Sequence, residues 1–174
     1  YGVYTFPDGE RYEGEWFQDQ QHGKGVYYFM NNNRYDGQWE QDFQHGEGMM
    51  NYYNGDVYDG HWVRDKREGQ GTYTWKNGST YVGSWKNDKK DGKGVLTWND
   101  GSKYDGEWRN DMREGYGTFE YANGDKYVGQ WSNDMQHGKG IYYFHTGDRY
   151  EGDYVQGERT GEGIYYHANG NKYV

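Results

Sequence analysis

Residues 81–101 read YVGSWKNDKKDGKGVLTWNDG, and their landmarks return throughout the 174-residue chain. Tyr81, Gly83 and Trp85 open the stretch, Gly92 and Gly94 follow as a pair, and Trp98 precedes Asp100-Gly101. Together with Tyr81, the opening tyrosine recurs at Tyr12, Tyr35, Tyr58, Tyr104, Tyr127, Tyr150 and Tyr173, each 23 residues from the next. A fixed period of this size marks a repeat architecture. Residues 1–11 are the second half of one repeat, residues 12–172 are seven complete repeats, and residues 173–174 begin another. A chain that opens and stops inside repeats is expected to be part of a longer protein.

Each repeat alternates with period two. Its first half runs Tyr-x-Gly-x-aromatic, as in Tyr12/Gly14/Trp16, Tyr35/Gly37/Trp39 and Tyr58/Gly60/Trp62, with Glu13, Glu15, Asp36 and Gln38 between. Its second half alternates too, as in Gly25/Tyr27/Phe29 and Gly117/Phe119/Tyr121. This is a strand signal with one aromatic and one polar face. Asn54-Gly55, Asn77-Gly78, Asp100-Gly101, Asn123-Gly124 and Asn169-Gly170 close repeats with dipeptides that favour tight hairpin turns. Glycine density and the lack of a 3.6-residue period exclude helix. The expected fold is all-β, an elongated single-layer antiparallel sheet of tandem 23-residue β-hairpin repeats, twisted into an open trough. At about 4.8 Å per strand, roughly 15 strands extend to about 70 Å. Neighbour stacking along the row supplies the stability that one hairpin lacks.

Composition alone points elsewhere. Leu, Ile, Val and Phe number 18 of 174 residues and the net charge is -9, a profile close to that of disordered chains. The 22 Tyr and 8 Trp reverse that conclusion, because each can bury on the order of 150–250 Å². With no cysteine there is no disulfide framework, which fits a reducing compartment. No apolar run is long enough for a membrane-spanning helix.

The sequence Tyr-Val-Gly-Ser-Trp-Lys-Asn-Asp, then Asp-Gly-Lys-Gly, then Trp-Asn-Asp-Gly, resembles the MORN repeat (membrane occupation and recognition nexus). His22-Gly23-Lys24-Gly25 and His137-Gly138-Lys139-Gly140 are close to that family's usual form, and the match covers essentially the whole chain. Departures are Asn32 for the turn glycine, Tyr154 for tryptophan, His167 for an aromatic and Gly157 for an acidic residue. The resemblance implies a twisted sheet used as a scaffold in junctional membrane proteins, lipid kinases, parasite cytoskeleton and ciliary radial spokes. Residues 25–39, GVYYFMNNNRYDGQW, are similar to radial-spoke-head MORN proteins.

Catalysis is not expected. Asp19, Asp42, Asp65, Asp88, Asp111 and Asp134 recur at one repeat position as turn residues, whereas catalysis needs an unlike pair in a pocket. Gly69-x-Gly71 and its copies lack the third glycine and the helix of a dinucleotide site. His22, His45 and His137 are about 10 Å apart from repeat to repeat, too far to share one metal. No cofactor and no metal site are therefore expected.

Two surfaces remain. Trp16, Trp39, Trp62, Trp85, Trp108, Trp131 and Tyr154 should line an aromatic trough with rings facing outward, where a partner's helix or extended segment lies. Lys66, Arg67, Lys89, Lys90 and Arg113 sit on hairpin loops that are candidates for anion contact, although Asp65, Glu68, Asp88, Asp91, Asp111 and Glu114 are interleaved with them. The expected function is a non-catalytic structural scaffold in a multi-subunit assembly, in the cytoplasm on a cytoskeletal or ciliary axoneme structure such as a radial spoke. The alternative is a membrane-proximal tether or phospholipid-contacting module, which the pI near 5.1 opposes, as it does nucleic-acid binding. A choline-cage aromatic repeat ranks third, since those run at a shorter period. Open edge strands allow homodimerisation.

Overall fold

The computed structural model describes residues 1–174. Every element is a strand. In order they are β1 (Gly2–Thr5), β2 (Arg11–Phe17), β3 (Gln20–Tyr28), β4 (Arg34–Glu40), β5 (Phe43–Asn51), β6 (Val57–Val63), β7 (Lys66–Thr74) and β8 (Thr80–Lys86). There follow β9 (Lys89–Thr97), β10 (Lys103–Arg109), β11 (Met112–Glu120), β12 (Lys126–Ser132), β13 (Met135–Tyr143), β14 (Arg149–Val155), β15 (Glu158–Tyr166) and β16 (Lys172–Tyr173). The chain forms two compact units, Tyr1–Lys89 and Lys90–Val174. Within each, strands pair antiparallel with their sequence neighbours, β1 through β8 in the first and β9 through β16 in the second. The all-β hairpin architecture expected from the 23-residue period is the one observed.

Two kinds of turn connect the strands. Inside each hairpin the turn is two residues long, both left-handed: Gln41-Asp42 (φ 51° and 68°), Arg64-Asp65 (47° and 69°), Asn110-Asp111 (48° and 69°). This is the primed geometry that matches strand twist, and Asp tolerates it better than most side chains. Between repeats the loop is longer. Gly55 donates its N–H to the Tyr52 carbonyl and Tyr52 to the Asp56 carbonyl, with positive φ at Gly55 but not at Asn54. The tight hairpin expected at Asn-Gly is therefore a wider loop, and x-Asp makes the tight turns instead.

The repeated aspartate also bridges repeats. Asp42 accepts the Gln21 N–H at 2.7 Å, Asp65 that of Gln44 at 2.8 Å, and Asp134 that of Arg113 at 2.8 Å. Each such carboxylate ties its turn to the preceding hairpin, so the periodic aspartates are structural ties as well as turn residues. Gly157 has no carboxylate to offer, and only its own N–H reaches Gln136.

The core is a row of tyrosines. Tyr12, Tyr35, Tyr58, Tyr81, Tyr104 and Tyr127 are 0% exposed. Tyr58 meets Trp62 and Trp85 edge-on, with centroids at 5.1 and 5.4 Å; Tyr104 meets Trp108 and Trp131 at 5.1 and 5.3 Å. Such T-shaped pairs add about 0.5–1.5 kcal/mol each beyond the area they bury. The tyrosine hydroxyls donate to strand carbonyls (Tyr58 to His61 at 3.0 Å, Tyr104 to Glu107 at 2.8 Å), and indoles do likewise (Trp62 to Gly48 at 3.0 Å). A single layer thus builds an enclosed core that is almost wholly aromatic, with Met50 and Leu96 its buried non-aromatic members. At the seventh repeat Tyr154 fills the indole position, and its hydroxyl is buried without a hydrogen-bond partner.

Burial favours the neutral phenol at five of these tyrosines. The Tyr12 pKa is pushed up to about 12 by burial, reinforced by the Glu15 and Asp42 charges against the His22 carbonyl bond. Tyr35, Tyr58, Tyr104 and Tyr127 are raised as well, again chiefly by burial. A raised folded-state pKa gives stability that is complete below the unfolded value of about 10 and lost as pH rises through the folded one. In an alkaline titration followed by phenolate absorbance and circular dichroism, the core tyrosines should ionise together with unfolding at about pH 12 or above. Complete phenolate formation with a native dichroism spectrum would contradict this core.

Candidate partner-binding groove

The first unit carries a groove of about 1010 Å³ on its aromatic face. Its floor is Tyr4, Phe6, Trp16, Tyr27, Phe29, Trp39 and Met50; Asp19, Asp42 and Asp65 form one wall, and Asn31 and Asn33 the other. The walls follow from the turns. Two-residue hairpin turns place one aspartate per repeat along one side, and the inter-repeat loops supply the asparagines on the other.

The indoles are not the open rings. Trp39, Trp85, Trp108 and Trp131 are each 5% exposed, while Trp62 and Tyr154 are 2% exposed. The expectation that they face outward is corrected, because Trp39, Trp62, Trp85, Trp131 and Tyr154 are each wedged between tyrosines of their own and the preceding repeat, and Trp108 packs on Tyr104. Trp16, half-buried near the chain start, and one edge of Trp39 do reach the groove. Trp62 and Trp85 lie in the core of the first unit, and Trp108, Trp131 and Tyr154 in that of the second. The rings the groove offers come from the end of each repeat's second strand and the loop after it: Phe6, Tyr27 and Phe29 are half-buried and Tyr4 is exposed. Alternation in the second half of the repeat signals these residues, but it does not tell them from the covered row. Tyr27 is fixed by its hydroxyl, which donates to Glu10 at 2.5 Å.

The five loop cations separate as well. Because the hairpin turn is only two residues long, β7 starts at Lys66 and alternation sends Arg67 inward. Arg67 lies 4.8 Å over the Trp85 ring and pairs with Asp88 at 3.1 Å. Lys90 lies 5.1 Å over Trp108 and 3.7 Å from Asp111; Arg113 lies 4.7 Å over Trp131 and 3.2 Å from Asp134. Only Lys66 and Lys89 are left exposed, so the five do not form one anion-contacting edge. Asp42 and Asp65, in the groove wall, have no cation partner. Burial raises the Asp65 pKa, the nearby Asp88 charge adds to it, and the Gln44 N–H bond opposes both.

No three His, Asp or Glu side chains converge in a metal-binding arrangement. The nearest approach to a polar constellation is at Asp125, which takes the Tyr142 hydroxyl at 2.7 Å and the His145 N–H at 2.8 Å. Burial opposes ionisation there, yet these bonds hold the carboxyl at about 2. It is an inter-repeat tie. No helix is long and apolar enough to cross a membrane.

Among solved structures, the fold is similar to the SAS-4 (dCPAP) TCP domain of Drosophila melanogaster, in complex with a proline-rich motif of Ana2 (dSTIL). That match has a TM-score of 0.55 at 16% identity and covers 99% of this chain and 87% of that one. The G-box domain of the microcephaly protein CPAP matches with a TM-score of 0.54 at 15% identity, covering 99% and 96%. At these identities the likeness is one of fold. A search of curated proteins finds no match. A profile of the MORN repeat matches residues 1–11, 12–34, 35–57, 58–80, 81–103, 104–126, 127–149 and 150–172. Those bounds coincide with the register of the buried tyrosines, and the chain belongs to the MORN-repeat family.

Proposed function

We propose that this chain is a non-catalytic scaffold that mounts partner proteins in a cytoskeletal assembly, with a ciliary axonemal spoke as the assembly its sequence most resembles. The observation that carries the reading is the open aromatic groove of the first unit, since accessible aromatic patches of this kind mark binding surfaces. A partner's helix or extended segment lies along the floor between the aspartate and asparagine walls. The similar SAS-4 domain is held with a proline-rich motif, which supports an extended partner. A phospholipid-contacting role gains no support, because Arg67, Lys90 and Arg113 are engaged with their own aspartates.

Phe29→Ala tests the reading. Phe29 is half-buried on the groove floor, whereas Phe17 lies outside the groove and serves as the control. Quantitative mass spectrometry of proteins co-purified with the tagged chain should show partners reduced at least about tenfold by Phe29→Ala, equivalent to about 1.4 kcal/mol. Phe17→Ala should leave them unchanged. Equal recovery with both variants, at native circular dichroism, rejects the groove as the docking site.

A further inference from the structure

Where the repeats carry arginine, this face supplies its own ligand. Arg67 and Arg113 each lie over an indole and pair with the aspartate of the next turn. In the first two complete repeats the same position holds Gln21 and Gln44. Their backbone N–H groups still reach Asp42 and Asp65. Both residues are at least nine-tenths buried, at 5% and 4% exposure, and both line the groove, yet neither carboxamide has a partner within the chain. The carboxamide atoms still touch solvent in the groove, since the Tyr154 hydroxyl is the one sealed side-chain polar atom without a partner, so they are open to a ligand. Beside each stands a carboxylate with no cation. The first unit thus has the receptor half of an arginine site twice over, one repeat apart.

We propose, resting on the docking reading above, that the groove's occupant is an arginine-bearing polyproline II segment of a partner protein. One guanidinium sits against Gln21 and Asp42 beside Tyr27, and a second against Gln44 and Asp65 beside Met50. The spacing selects the conformation. Successive repeats are two strand spacings apart, on the order of 10 Å. Three polyproline II residues advance about 9.3 Å and return the side chain to the same face. A β-strand covers a similar distance in three residues but turns the third to the opposite face. Arginine at every third position, with proline between, therefore meets both receptor halves, and the prolines pack on Phe29 and Phe6 as in other aromatic-lined grooves. Charge is complementary, since Asp19, Asp42 and Asp65 line the wall that the arginines face.

The experiment is fluorescence anisotropy of a labelled peptide of repeated Pro-Pro-Arg against the whole chain. The comparison is a peptide of identical composition with its arginines grouped. The periodic peptide should bind at least tenfold tighter and weaken as salt rises. Gln21→Arg combined with Gln44→Arg installs what the fold already holds at Arg67, and should reduce binding at least tenfold with melting unchanged. Asp42→Asn with Asp65→Asn retains an acceptor for the N–H bonds and should do the same. Equal binding of the two peptides, or binding indifferent to Gln21→Arg/Gln44→Arg, overturns the proposal. A concentration-dependent dimer that displaces the peptide assigns the groove to a second copy and overturns it too. If the peptides fail while native partners are still lost with Phe29→Ala, docking stands and this occupant is wrong. If Phe29→Ala loses nothing, docking itself is wrong.

Discussion

Tyr58→Ala should destabilise the chain by about 3–5 kcal/mol, the range for deleting a large aromatic from a core. The ring is 0% exposed and meets the edges of Trp62 and Trp85. It also covers Gly71, where an added Cβ would stand 2.2 Å from the Tyr58 hydroxyl oxygen and 2.5 Å from Cζ. Alanine leaves a void on that glycine, and the two indoles cannot close it because each is tied by Nε1 to a carbonyl, Trp62 to Gly48 and Trp85 to Gly71. Tyr58→Phe keeps the ring and loses only the 3.0 Å bond to the His61 carbonyl, so it should cost about 1 kcal/mol. Urea denaturation followed by circular dichroism measures both. A Tyr58→Ala midpoint close to that of Tyr58→Phe would mean that the tyrosine row is not the core. Stability in repeat arrays is roughly a sum of repeat and neighbour contributions, so the first unit should lose most.

Gly60→Ala should be nearly as damaging, at about 3 kcal/mol, the upper end for overpacking. A Cβ there would lie 2.4 Å from the Gly71 Cα and 2.7 Å from the Gln70 carbonyl oxygen. Both are backbone atoms of the paired strand, held in register by Gly60 opposite Gly71, and they cannot move aside without breaking that pairing. Gly78 is the control. It sits at φ +93° with open space around its Cβ, so Gly78→Ala carries only a left-handed backbone cost of about 1–2 kcal/mol. Equal melting temperatures for the two alanine variants would show that the Gly60–Gly71 approach is not what limits side-chain size.

Much of this was readable in the chain. The tyrosine period places every strand, and the alternation Tyr58-x-Gly60-x-Trp62 assigns the aromatic and polar faces, because side chains of a strand leave on alternate sides. Less legible was which rings stay open. Trp62 and Phe29 are both aromatics on the same face, and only their positions across neighbouring repeats separate a covered ring from an accessible one. Arg67 looked like a loop cation because its neighbours are Asp65, Lys66 and Glu68. The left-handed pair Arg64-Asp65 shortens the turn to two residues and sends the arginine inward over Trp85. The difference between Gln21 and Arg67 is visible when the repeats are aligned, yet its meaning depends on the aspartate of the next turn.

The sequence by itself determined the repeat, the strand order and the residue types available on each face, because these depend on period and local backbone preference. Tertiary structure decided burial, pairing and accessibility, because those are set between repeats, by residues 14 to 27 positions apart that meet only once the strands are in register. Trp62 became core and Phe29 groove floor for that reason, and Arg67 found the Asp88 carboxylate where Gln44 leaves Asp65 without a cation.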